Sequence, residues 1–183
     1  SFIPIHPGEI LSYGGYCFEV VLLKGHTFGQ CGLYEPQKKL MFVGDQLMTT
    51  IVPIVGTQET DLGMLKCYMN SLGELKHKYK DCYFLPCHYG EIKDVEKEVN
   101  RIIFGYMEKC EIMKHVLEEA GTALTTRDIG VRTYGRSQGP PDYAHFASCT
   151  QIWAKTFSCM EYMMGEGFIE RSERDGIIYW KAL

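Results

Sequence analysis

The sequence predicts an α+β protein, and three observations carry that reading. Short apolar runs recur between Val20 and Asp45, two downstream stretches repeat apolar residues at three- and four-residue steps, and an Asp-Gly pair near the C-terminus separates two more apolar runs. At 183 residues and 45% hydrophobic, the chain can bury a sizeable core as one or two small domains. Its formal net charge is −4, with both signs well mixed, so no electrostatic footprint for nucleic acid or an anionic membrane is visible. No apolar run approaches the roughly 20 residues that span a bilayer, and there is no signal-peptide pattern.

Taken in order, residues 1–16 read as a loop with turns at Pro7-Gly8 and Gly14-Gly15, leading into a strand from Cys17 to Leu23. A Gly25-His26-Thr27 turn follows, then a short strand around Leu33 and another from Leu40 to Val43 that ends in Gly44-Asp45. Pro53 demotes the apolar segment 49–58 to loop or edge strand. Thr60-Asp61 offers N-cap chemistry for a helix whose inner face is Leu62, Leu65, Met69, Leu72, Leu75 and Tyr79. Tyr83 to Leu85 reads as a buried strand delivering Cys87-His88 to its end.

A long helix keeps Ile92, Val95, Val99, Ile102, Tyr106, Cys110, Met113 and Leu117 on one face until Gly121 stops it. Thr125 or Thr126 caps a short helix to Tyr134, and the loop RSQGPPD intervenes. A further helix from about Ala144 to Met164 is expected to turn Trp153, Phe157, Met160 and Met164 inward. Phe168-Ile169 and Ile177 to Trp180 then flank the Asp175-Gly176 hairpin turn.

Two polar residues, His26 and Asp45, interrupt apolar runs at strand ends, and His88 stands at the end of another. A lone histidine in such a place is ordinarily a turn or cap residue. Together, imidazole and carboxylate groups on neighbouring strand ends can face one point above a sheet edge, as metal ligands do. In its motifs the stretch GHTFGQCGLYEPQKKLMFVGDQL resembles the second half of a metallo-β-lactamase-fold hydrolase, and FLPCHYGEI resembles that family's last metal motif. The resemblance covers about residues 1–105, and the remainder resembles the helical appendage of one branch of the family. It implies the C-terminal half of an αββα sandwich over residues 1–109, followed by a winged-helix-like domain over 110–183.

By the same resemblance His26 would ligate a first metal, His88 a second, and Asp45 would bridge them. The implied cofactor is zinc, two ions per complete site, with iron or manganese compatible. The implied chemistry is attack of a metal-bound hydroxide on an ester, thioester, lactam or phosphodiester, so the partner of the full-length parent is a small-molecule substrate. Lys24 and Phe28 stand where prolines are common, Gln30 where a second, non-ligating histidine often sits, and Cys87 where glycine is usual. The family's HxHxDH motif occurs nowhere in the chain. The expectation is therefore a fragment that is inactive alone, holds metal weakly or not at all, and associates with itself or with the missing half through a bare sheet face bearing Val21, Leu23, Leu33 and Phe42.

Eight scattered cysteines without a CxxC pair suit reduced, buried thiols of a cytoplasmic protein. Adjacent Cys87 and His88 are not read as a catalytic pair, because side chains of neighbouring residues on a strand end point different ways. His6, His77, His115 and His145 carry no ligand spacing. The competing functional class is a non-enzymatic winged-helix module that binds a partner or nucleic acid. Residues 110–183 carry eight Lys/Arg against ten Asp/Glu, which speaks against the phosphate contacts a groove-reading helix needs.

Overall fold

The computed structural model describes residues 3–57, 63–135 and 143–183, the last with backbone only over 143–148. It divides into two compact units, Ser1–Pro53 with Lys66–Ile103 and Ile54–Leu65 with Phe104–Leu183. The sequence-read helix cap Thr60-Asp61, the apolar position Leu62 and the loop 136–142 lie outside the described residues.

The first unit is built on a five-stranded sheet in the order β1-β2-β3-β4-β5, with β1 Ile10–Tyr13, β2 Tyr16–Leu22, β3 Cys31–Glu35, β4 Leu40–Gly44 and β5 Tyr83–Pro86. The first four strands run antiparallel in sequence, and β5 joins β4 in parallel. Strand β1 corrects the reading of residues 1–16 as loop. Gly14 (φ 57°) and Gly15 (φ 83°) are both left-handed, the requirement of a two-residue turn whose twist matches a hairpin, so Ile10–Tyr13 folds back on β2. Between β4 and β5 runs α1, Met64–Lys78, and after β5 comes α2, Val95–Ala120. Residues 49–57, all of them described, form no strand, as Pro53 leads one to expect.

Cross-strand partners share a face, so the register sorts the side chains. Val21 and Leu23 lie on the face with Gly32, Tyr34, Met41, Val43 and Phe84, and this face is buried: Leu23, Met41 and Val43 are fully covered. Tyr34 on it meets Tyr79, beyond the end of α1, with ring centroids 4.9 Å apart. Within α1 the buried line includes Tyr68, Leu72 and Leu75, with Tyr68 in place of the expected Met69. Leu33 and Phe42 pair with Val20 and Leu85 on the opposite face, where Phe42, Leu22 and Tyr83 are 39%, 43% and 48% exposed. The grouping of Val21 and Leu23 with Leu33 and Phe42 on one bare face is therefore wrong by one residue of parity. Only the second pair belongs to the half-exposed face.

The second unit takes the later turns of α2, β6 Leu124–Thr125, α3 Thr126–Tyr134, α4 Tyr143–Gly165, β7 Ile169–Arg174 and β8 Ile177–Ala182. Its three-stranded sheet has the order β6-β8-β7. Gly121 (φ 60°) ends α2, and Thr125 with Asp128 forms a capping box at the start of α3. Asp175 (φ 52°) and Gly176 (φ 73°) make the β7–β8 turn. Along α4 the buried line is Thr156, Cys159, Met160 and Met163. Trp153, expected inside, is 39% exposed: among the described side chains of α4 the buried stripe at i, i+3, i+4 and i+7 starts one turn later.

Of the crowded glycines in the first unit, Gly25 is the one pressed against a helix backbone. A Cβ on Gly25 (φ 154°) would lie 2.4–2.6 Å from Cα, Cβ and Cδ2 of Tyr68, and the helix backbone that carries them cannot swing away. Gly25→Ala is expected to cost at least about 2 kcal/mol in urea unfolding. Gly29→Ala, with nothing within 4 Å of its Cβ, should stay within about 1 kcal/mol of the parent. Equal losses in the two variants would show that the contact with Tyr68 is not what holds the turn.

Candidate metal centre

Three chain corners meet at the C-terminal ends of β2, β4 and β5. The β2–β3 corner is closed by Leu23 N–H donating to the Gln30 carbonyl at 2.8 Å and Gly25 N–H donating to the Thr27 carbonyl at 3.1 Å. That corner carries His26, whose backbone N–H donates to Gln46 Oε1 at 3.3 Å. The β4 strand ends at Gly44 (φ 56°), with an irregularity in its pairing to β5 between Phe42 and Gly44. The Gly44 carbonyl accepts from Cys87 N–H at 3.1 Å, tying the end of β5 to the end of β4. Asp45 and His88 each follow directly on that tie.

As a result Asp45 stands between the two imidazoles. Its Oδ2 is 3.7 Å from His26 Nε2, and its Oδ1 is 3.4 Å from His88 Nε2. The side chains are 24%, 30% and 61% exposed for His26, Asp45 and His88, a gradient from a sheltered inner histidine to an open outer one. Asp45 Oδ1 is itself buried and accepts no hydrogen bond, although His88 Nε2 lies 3.4 Å away. A carboxylate oxygen shut away from water without a donor is costly unless a positive charge faces it. With two imidazole nitrogens beside it, this donor set fits a borderline divalent ion such as zinc. Among the described residues, no three His, Cys, Asp or Glu side chains form a group already placed to close around one metal ion.

The remaining sequence-read candidates stand apart from this corner. His115 faces Glu118 and Glu119 along α2, and His77 lies in the last turn of α1. His6 is exposed in the N-terminal segment, and the side chain of His145 lies outside the described residues. Cys87 is exposed, and all eight cysteines are free thiols.

Several supporting residues escaped the sequence reading. Gln46 is fully buried; its backbone carbonyl accepts from the Tyr68 hydroxyl at 2.8 Å, and its Nε2 has no hydrogen-bond partner. Burial pushes the Tyr68 phenol well up, while Arg101 opposes this, so it stays a donor. Arg101 spans two carbonyls of the following loop, Met48 at 2.7 Å and Ile51 at 3.2 Å, while its Nε pairs with Glu98 at 2.7 Å. Tyr89 takes a left-handed φ of 68° beside His88; its carbonyl accepts from the Thr49 hydroxyl at 3.1 Å and its ring lies 6.1 Å from the imidazole. The one signal available in sequence was a glutamine directly after Asp45 and before the apolar Leu47-Met48, a polar group in a run that otherwise buries.

No family model matches the chain. Among curated proteins it is 50% identical over 40 residues to the hydroxyacylglutathione hydrolase GloC of Haemophilus influenzae, a match covering 22% of this chain and 19% of that protein. Among solved structures it superposes on a metallo-β-lactamase family protein of Thermus thermophilus with a TM-score of 0.79 at 22% identity, covering 98% of this chain and 54% of the other. A β-lactamase domain protein of Burkholderia ambifaria gives a TM-score of 0.82 at 18% identity, covering 100% of this chain and 53% of the other. The chain thus spans about half the length of the solved structures it matches. Superposing on both over almost its whole length, the chain has the metallo-β-lactamase fold.

Proposed function

We propose that this chain supplies His26, Asp45 and His88 to a metal-dependent hydrolytic centre. The observation that supports it most is Asp45, with one imidazole within 3.7 Å of each carboxylate oxygen and its Oδ1 buried without a donor. In this reading His26 and His88 would each hold one of two divalent ions, zinc by preference and iron or manganese acceptably, and Asp45 would lie between them. Such ions supply the Lewis acidity that makes water a nucleophile at neutral pH. The chain's own residues do the positioning. Gln46 holds the His26 backbone, the Gly44–Cys87 bond aligns His88 with Asp45, and Arg101 fastens the loop that follows.

Substrates compatible with that chemistry are esters, thioesters, lactams and phosphodiesters. A hydroxyacylglutathione is a thioester, so the name of the curated relative favours that class. Three donors do not complete a two-ion shell, so this chain alone is expected to hold zinc weakly and to turn over no substrate. In a zinc titration followed by calorimetry, Asp45→Asn should weaken uptake by at least about tenfold. Equal affinity in the variant would remove Asp45 from the site. Tight stoichiometric zinc in the parent chain, or zinc-dependent thioester hydrolysis by it, would overturn the shortage of ligands.

The half-exposed sheet face with Leu33 and Phe42 supports association. Contiguous apolar surface beyond a few hundred Å² is uncommon on soluble monomers. A second copy, or the additional chain that the longer solved structures contain, would cover it. Sedimentation at micromolar concentration is expected to give a dimer, which Phe42→Glu dissociates; a monomer in both would set the proposal aside.

The second unit supports a winged-helix-like reading, with α3, α4 and the β7–β8 hairpin in the corresponding order. Its eight Lys/Arg against ten Asp/Glu over residues 110–183 disfavour the alternative of a nucleic-acid module. Duplex DNA is expected to produce no sequence-selective, salt-dependent shift with this chain; such a shift would promote that alternative.

A further inference from the structure

The second unit contains a cleft of about 810 Å³ between α4, the start of α3 and the β7–β8 hairpin. That volume lies within the range of small-molecule sites, roughly 300–1,000 Å³. Its apolar lining includes Trp153 and Phe157 of α4 and Ile177 of the hairpin; Arg127 and Asp128 are its charged lining residues.

The frame of the cleft is fixed by contacts behind it. Phe157 packs edge-on against the fully buried Trp180 at 5.7 Å, and Trp180 Nε1 donates to Thr126 Oγ1 at 2.9 Å. On the other side α3 approaches α4 so closely at Gly130 that a Cβ there would meet Thr156 Oγ1 at 3.0 Å and Ile152 Cγ2 at 3.2 Å. These contacts tie α3, α4 and β8 to one another. Trp153 and Ile177, 39% and 49% exposed, remain apolar surface that the unit's own core does not cover.

The two charged residues of the lining are not equivalent. Asp128 is committed to the α3 cap, taking the Thr125 hydroxyl at 2.7 Å on its Oδ2, so the cap N–H groups are already served. Arg127 is exposed, and among the described residues no carboxylate pairs with it. The uncommitted charge at the cleft is a cation.

We infer that this cleft binds a small amphipathic anion, an aliphatic or aromatic body lying along Trp153, Phe157 and Ile177 with a carboxylate or similar head group at Arg127. None of the residues lining this cleft is a metal-centre residue, so the inference does not rest on the proposed function.

The test uses the whole chain with 1-anilinonaphthalene-8-sulfonate as a fluorescent probe, displaced by dodecanoate or by neutral dodecanol below their aggregation concentrations. Saturable binding at one site and displacement by dodecanoate are expected. Arg127→Ala should weaken dodecanoate by about three- to fivefold, the size of an exposed ion pair, and leave dodecanol unchanged. Ile177→Asp on the exposed wall, and Ala154→Phe filling the cleft, should each abolish displaceable binding while the melting temperature confirms folding. Binding that survives both wall variants lies elsewhere and overturns the inference. So does indifference of dodecanoate to Arg127→Ala, which removes the head-group contact. Self-association that Ile177→Asp abolishes would mean that a second copy fills the cleft, and the small-molecule assignment would fall.

Discussion

The geometry of the first unit turns on one close approach, that of Gly25 to Tyr68. The backbone at residue 25 lies where a side chain would collide with the α1 backbone, so the β2–β3 corner is seated directly on the helix. The same tyrosine reaches past that contact to donate its hydroxyl to the Gln46 carbonyl. A single residue of α1 thereby sets the height of both corners that carry His26 and Asp45. A hydrogen bond of this kind is worth about 1 kcal/mol net, but its loss would also leave a buried carbonyl unpaired. Steric contact fixes the first corner and hydrogen bonding the second. The 3.7 Å between His26 and Asp45 follows from the two together.

The opposite wall is set by the parallel pair. Because β5 runs alongside β4, the two strands end together, and the Gly44 carbonyl catches Cys87 N–H just past the last regular pair. A parallel neighbour needs a long crossover, which α1 provides. The helix that seats the histidine corner is thus also the connection that brings His88 to Asp45. Fold and site share the same element.

Much of this was legible in the chain. Strands β2 to β5, the end of α2 at Gly121, the Thr125 cap and the Asp175-Gly176 turn all show local signals, glycine at left-handed positions and apolar runs bounded by turn residues. His26, Asp45 and His88 could be expected near one another because each ends a strand, and their side chains do converge. What failed was non-local. Strand β1 is too short to announce itself, and only its pairing with β2 makes it one. The face of Leu33 and Phe42 depends on register, which the apolar pattern of a strand buried on one side and half-covered on the other does not state. Trp153 was expected inward on one line with Phe157, Met160 and Met164, yet among the described side chains of α4 the buried stripe begins at Thr156. Gln46 and Arg101 act across 20 and about 50 residues of sequence, and no spacing rule reaches that far.

Two buried polar atoms without partners, Asp45 Oδ1 and Gln46 Nε2, sit on consecutive residues. Each costs stability on the order of 1–3 kcal/mol if nothing meets it. An amide could escape by rotating outward, but Gln46 is held by His26 N–H on its oxygen and is fully enclosed. A carboxylate could turn both oxygens to water, but only one side of Asp45 reaches solvent. The scaffold therefore holds polar capacity in place that its own hydrogen bonds do not use. Ordinary core packing would replace such groups with apolar ones at a gain. A corner that retains them, on strand ends braced by Tyr68 and Arg101, suits the proposed metal, because a cation facing Asp45 would cancel the larger penalty.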